Sequence, residues 1–77
     1  MSKVTKTLAL DLALRLDVAS STVTYLGNAV EGTATSSALW QIKRLTSTSA
    51  GNLTIEYPAG SSSYINIWDN RASLSYS

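Results

Sequence analysis

The hydroxyl side chains are this sequence's most abundant reactive groups, and nothing in it activates them. A serine becomes a nucleophile only beside a base, and the chain has neither histidine nor cysteine. Lys3, Lys6 and Lys43 could formally serve a serine–lysine pair, but no serine stands at a characteristic spacing from any of them. The acids Asp11, Asp17, Glu31, Glu56 and Asp69 are scattered and lack the dense oxygen spacing of a calcium loop. The sequence therefore predicts no enzyme, no catalytic residue, no cofactor and no metal site. Two other spacings remain. Lys43-Arg44 is the one adjacent basic pair; in a strand its members face opposite sides, and one can pair with Glu56 across a hairpin. With Trp40 and Tyr57 nearby, that strand could offer bases a stacking platform, although a net charge of +1 argues against nucleic acid. Trp68 and Arg71 stand three apart, so on a helical turn the guanidinium can lie over the indole as a structural clamp. Asn52-Leu53-Thr54 matches a glycosylation acceptor, a triplet frequent by chance.

Size and composition point to assembly. Seventy-seven residues predict one domain spanning 1–77, and a chain this short buries only ~60 % of its unfolded surface. Domains below roughly 80 residues usually need a disulfide, a metal or oligomerisation; without cysteine or histidine, oligomerisation is left. Charged residues make up 14 % of the chain, against about 25 % in ordinary soluble proteins, so its surface is poorly protected against association. Asp11 and Arg15 interrupt the apolar run from Thr7 to Leu16, which argues against a signal peptide. No apolar stretch approaches the ~20 residues of a membrane span, so no membrane partner is expected. The segment Tyr64 to Ser77 carries two tyrosines, a tryptophan and an arginine. Side chains of this size need a cover, either the domain itself or a partner. Trp40, Tyr57, Trp68, Arg71, Leu74 and Tyr76 are accordingly the candidate assembly and packing residues.

The elements that must position them read mostly as strands. Leucines alternate at Leu8, Leu10, Leu12, Leu14 and Leu16, followed by Val18, the period of a strand with one buried face. Leu, Ala and Arg also favour a helix, but there these leucines would spread over more than half the circumference; a helix would make the stretch an arm preceding a domain that begins near Thr22. Ala19-Ser20-Ser21 reads as a turn, and 22–26 as a second strand. Gly27 to Ser37 reads as a loop, 39–45 as a third strand, and 53–57 as a fourth, stopped by Pro58. A short helical turn over 64–70 and a final strand over 72–76 complete the reading. The predicted fold is mainly β: a small antiparallel sheet, sandwich or barrel-like domain of five to six strands with one short helix near the C-terminus. Its predicted core is Trp40, Ile42, Ile55, Tyr57, Ile67 and Trp68, with Leu10, Leu12 and Leu14 from the first strand.

From Thr24 onward the chain resembles a group of small tailed-bacteriophage proteins. Their recurring pattern is an aromatic strand, a Gly-Thr/Ser-Ala-rich loop, W-x-I-[KR]-[KR]-[IL], W-A-D-G, an aromatic, and I-W-D-N-R-A-S-L-[ST]-Y-S. Here these read Thr24-Tyr25-Leu26-Gly27, Gly32 to Ala38, Trp40 to Leu45, Tyr57-Pro58-Ala59-Gly60, Tyr64, and Ile67 to Ser77. Tyr57 replaces a tryptophan, and Pro58-Ala59 replaces Ala-Asp. The resemblance implies a structural protein of the virion, made in the bacterial host cytoplasm. It would sit as a tail, fibre or baseplate accessory or a capsid decoration, with copies of itself and other virion proteins as partners. It brings no catalytic residue. Two alternatives stay open: a binding module using the 27–37 loop or the basic strand for host glycan or nucleic acid, and a filament subunit joined through an exposed strand edge.

Overall fold

A computed structural model describes residues 12–77; Leu8 and Leu10 of the alternating run lie outside the described residues. Strands β1 (Leu12–Val18), β2 (Val23–Val30), β3 (Ala38–Ser47) and β4 (Leu53–Glu56) form an antiparallel sheet in chain order. A two-residue strand, β5 (Asn66–Ile67), pairs with the start of β3 and leads into a 3-10 helix over Trp68–Ser73. The described fold is thus mainly β and antiparallel, with one short helix near the C-terminus.

The turns follow from their side chains. Between β1 and β2, Ser20 Oγ accepts hydrogen bonds from the Thr22 and Val23 amides at 3.2 and 3.0 Å, a short polar side chain capping a tight reversal. Between β3 and β4, Gly51 takes a φ of 87°, a backbone state that glycine adopts without a Cβ penalty.

The sheet has a covered inner face and an open outer one. The inner face carries the buried core, Tyr25, Ala29, Trp40 and Ile42, closed from above by Trp68 of the 3-10 helix. Three of the predicted core residues, Trp40, Ile42 and Trp68, are there. Tyr57 and Ile67 are half-buried. Leu12, Leu14 and Ile55 are corrections: they face outward, with Leu14 66 % and Ile55 52 % exposed. The reason is the position of the covering layer. Pairing Ala13 with Ala29 and Arg15 with Gly27 puts the small residues of β1 and β2 on the inner face, and the bulk of Trp68 fits only over that shallow floor.

Gly27 also explains why β2 runs to Val30 instead of ending before a loop at 27. A Cβ on Gly27 would lie 2.5 and 2.6 Å from two ring carbons of Trp68 and 3.2 Å from Trp40. This glycine marks a close approach of ring and backbone within a strand. The helical turn likewise begins at Trp68, later than the expected Tyr64, and the expected last strand is shortened. Its remnant runs antiparallel to Tyr57–Ala59, with the Tyr57 amide donating to Ser77 O at 3.2 Å, the Ser77 amide to Tyr57 O at 3.0 Å and the Ala59 amide to Ser75 O at 2.7 Å. Ala59 takes a φ of 51° in the turn that starts this return.

Candidate assembly surface

The six candidate residues split between the two faces of the sheet, and most of them belong to the lid over the inner one. Trp40 lies at the bottom, fully buried, its indole N–H donating to Ala34 O at 2.9 Å. That bond ties the 31–37 loop down, and the Asp69 amide donates to Thr35 O at 3.2 Å from the other side. The Trp68 ring stands 5.9 Å from that of Trp40, tilted by 40°, a favourable arrangement of two aromatic quadrupoles. Arg71 lies over Trp68 with its guanidinium carbon 4.6 Å from the ring centre, the clamp expected from their spacing. Its Nε donates to Asp17 Oδ2 at 2.9 Å and its Nη1 to Trp68 O at 3.1 Å. The helix is thereby fastened to β1, 54 residues away in sequence.

The tail then crosses back over β2 and β3. Leu74 and Tyr76 pack against the buried cluster. The Tyr76 hydroxyl donates to Arg71 O at 2.8 Å, and its ring lies 5.8 Å from that of Tyr25 and under the Arg44 guanidinium at 4.9 Å. Burial pushes the Tyr76 phenol up to about 12, with the neighbouring Tyr25 acting the same way and Arg44 and Arg71 opposing. Arg44 also donates from Nη2 to Glu56 Oε1 at 2.6 Å, across the register that pairs the two residues, and this bond raises its already high proton affinity. Trp68, Arg71, Leu74 and Tyr76 thus find their cover within the domain.

Beside the lid, at the edge of β1, is an open cleft of about 350 Å³. Arg15, Asp17, Trp68 and Arg71 line it, together with the β1 positions Leu14 and Leu16. Asp17 and Arg71 are committed to one another there, which leaves a shallow groove rather than an enclosed pocket. Among the described residues, no three His, Cys, Asp or Glu side chains are grouped to hold a metal, and no helix is long and apolar enough to cross a membrane.

The outer face has the larger feature, and sequence reasoning assigned three of its exposed residues, Leu12, Leu14 and Ile55, to the core. β1 contributes Leu12, Leu14, Leu16 and Val18, all exposed. Val30 extends this patch on β2, paired with Leu12, and half-buried Leu26 adjoins it, paired with Leu16. Leu39 at the start of β3, with Leu53 and Ile55 of β4, completes a rim of exposed aliphatics. Enclosed by them is a polar stripe in which Asn28 Nδ2 and Lys43 Nζ both donate to Gln41 Oε1, at 3.2 and 3.0 Å. Gln41 Nε2 in turn donates to Ser62 O at 2.9 Å. Tyr57, the last of the six candidates, is at this side, its ring 5.9 Å from the Lys43 ammonium. Lys43 is the one charged side chain on the outer face of the described strands. A face of exposed aliphatic side chains is suited to association. The alternating leucines were the available signal for it, because period-2 spacing shows that residues share a face without saying whether that face is covered.

No family model matches the chain, and neither a curated protein nor a solved structure matches it.

Proposed function

We propose that the chain is a non-enzymatic structural protein of a tailed-bacteriophage particle, carried on the tail, its fibres or baseplate, or as a decoration of the capsid. The observation that carries this reading is the uncovered outer face. The lid and tail serve the inner face completely, so the eight exposed aliphatic side chains of the outer face have no cover among the described residues. Exposed aliphatic side chains gathered on one face in this number mark an interaction site. The resemblance of Ile67 to Ser77, and more loosely of the chain from Thr24 onward, to small phage proteins supports the virion setting. Its partners are then copies of itself and other virion proteins, and it is made in the host cytoplasm before joining the particle.

Mass spectrometry of purified virions tests this. The protein is expected in particles at a fixed ratio to the major capsid or tail protein. Abundance in the infected lysate combined with absence from purified particles would sink the proposal.

A further inference from the structure

We infer that the occupant of the outer face is a second copy of the same face, so that two chains close into a four-on-four β-sandwich. The inference rests on the assembly reading above and names its first partner. The exposed side chains concerned, Leu14, Leu16, Val18, Val30, Leu53 and Ile55 foremost, are between 52 and 69 % exposed. With Leu12 and Leu39 they make eight exposed aliphatic side chains on one sheet face, and a standard interface takes about 800 Å² from each partner.

Three properties of the face favour a second copy. A flat sheet face packs best against another sheet face, at a spacing of about 10 Å and with strands within about 30°, and the chain supplies one such face per copy. Lys43 is the sole charge on it, so the face does not select a partner by charge. The polar stripe is bonded within itself from Asn28 through Gln41 to Lys43, and on to Ser62, so its amides enter an interface partly satisfied, and the Lys43 ammonium is the group whose burial costs most. Residues 1–11 bring only Met1, Val4, Leu8 and Leu10 as large apolar side chains, against eight exposed on the face.

Sedimentation equilibrium of the full chain tests the inference. The wild type is expected to be a dimer at micromolar concentration. Leu16→Lys, at a site 64 % exposed, is expected to raise the dimer dissociation constant by about thirtyfold or more. The near-UV circular dichroism of Trp40 and Trp68, on the other face, should persist. Arg15→Ala on the inner face should leave the dimer intact. If Leu16→Lys fails to fold, Leu14→Ser gives the same reading with a smaller change. A wild type that stays monomeric overturns the inference. So does one that dimerises only after removal of residues 1–11, which would make that segment the occupant. A monomer that binds neutral phosphatidylcholine vesicles also overturns it, as does a dimer that survives both Leu16→Lys and Leu14→Ser. A dimer absent from virions would remove the phage reading and leave the sandwich; a monomer present in virions would do the reverse.

Discussion

At Gly27 a single missing Cβ decides whether the lid can close. Adding it in Gly27→Ala sets a methyl group against the Trp68 ring at 2.5 Å, and neither the ring nor the strand can retreat without opening the core. The expected loss is about 1–3 kcal/mol, a fall in melting temperature of several degrees for a domain this small; an unchanged melting curve would show that Trp68 has room to move. Ala59 is the converse case. An alanine at a φ of 51° carries a Cβ penalty that asparagine bears more easily. Ala59→Asn should therefore raise stability by about 0.5–1 kcal/mol, read by urea titration. Tyr76 ties stability to pH. Its phenol is held up to about 12 in the folded chain against about 10 when unfolded, so between those values the unfolded chain releases its proton first. That contribution is complete below pH 10 and is lost as the pH rises toward 12. Tyr76→Phe loses the hydrogen bond to Arg71 O, about 1 kcal/mol at pH 8. The gap between wild type and variant should then narrow in urea titrations carried from pH 8 to pH 11.5. A constant gap would mean that the phenol titrates normally.

The elements divide into those that pattern alone could identify and those that depended on what covers them. The turn residues and β-branched runs place β1 to β4 within a few residues, and the Arg44–Glu56 pair follows from strand alternation. The direction of β1 does not follow, because its leucines form the more apolar face, and in a free-standing sheet that face would turn inward. Here a long-range partner decides. Trp68 enters over Gly27 and Ala29, and Asp17 holds Arg71 in place. The same partner turned Gly27 from a loop signal into a strand residue. The large side chains of the tail were a sound sign of burial, but the cover they need comes from within the domain. Removing residues 74–77 should therefore act on the fold of the single chain. The deletion takes away three backbone hydrogen bonds to Tyr57 and Ala59, the packing of Leu74, and the Tyr76 ring between Tyr25 and Arg44. It should thus destabilise the single chain, abolishing a cooperative thermal transition in a domain with little stability to spare. A truncated protein that melts as the full chain does would show the tail to be dispensable.

At the scale of the whole molecule, the two faces carry different obligations. The inner face is closed by eleven residues at the end of the chain, and the outer face is left to association. How two copies meet is constrained by Lys43. A two-fold axis crossing the strands at the middle row, Leu16–Leu26–Lys43, would set β3 over the partner's β3 and bring the two ammonium groups together in a dry interior, where like charges repel strongly. An axis parallel to the strands sets β1 over the partner's β4 and β2 over its β3. Lys43 then faces Leu26 of the partner subunit, its stem covered and its charge offset from its copy by one strand spacing, about 4.8 Å. Val18, Thr24, Leu45 and Ile55 lie in one row of the sheet, each paired with the next. The parallel axis therefore places Val18 across from Ile55 of the partner subunit, at a sheet spacing of about 10 Å. The chain has no cysteine, so each introduced thiol is unique. When Val18→Cys and Ile55→Cys proteins are mixed and treated with a short bismaleimide, a cross-linked dimer should form in high yield, while either protein alone should give little. A strong product from Leu14→Cys mixed with Val18→Cys, whose rows flank that of Lys43, and none from the first pair, would establish the crossed axis and show that the Lys43 ammonium groups are separated by some other means.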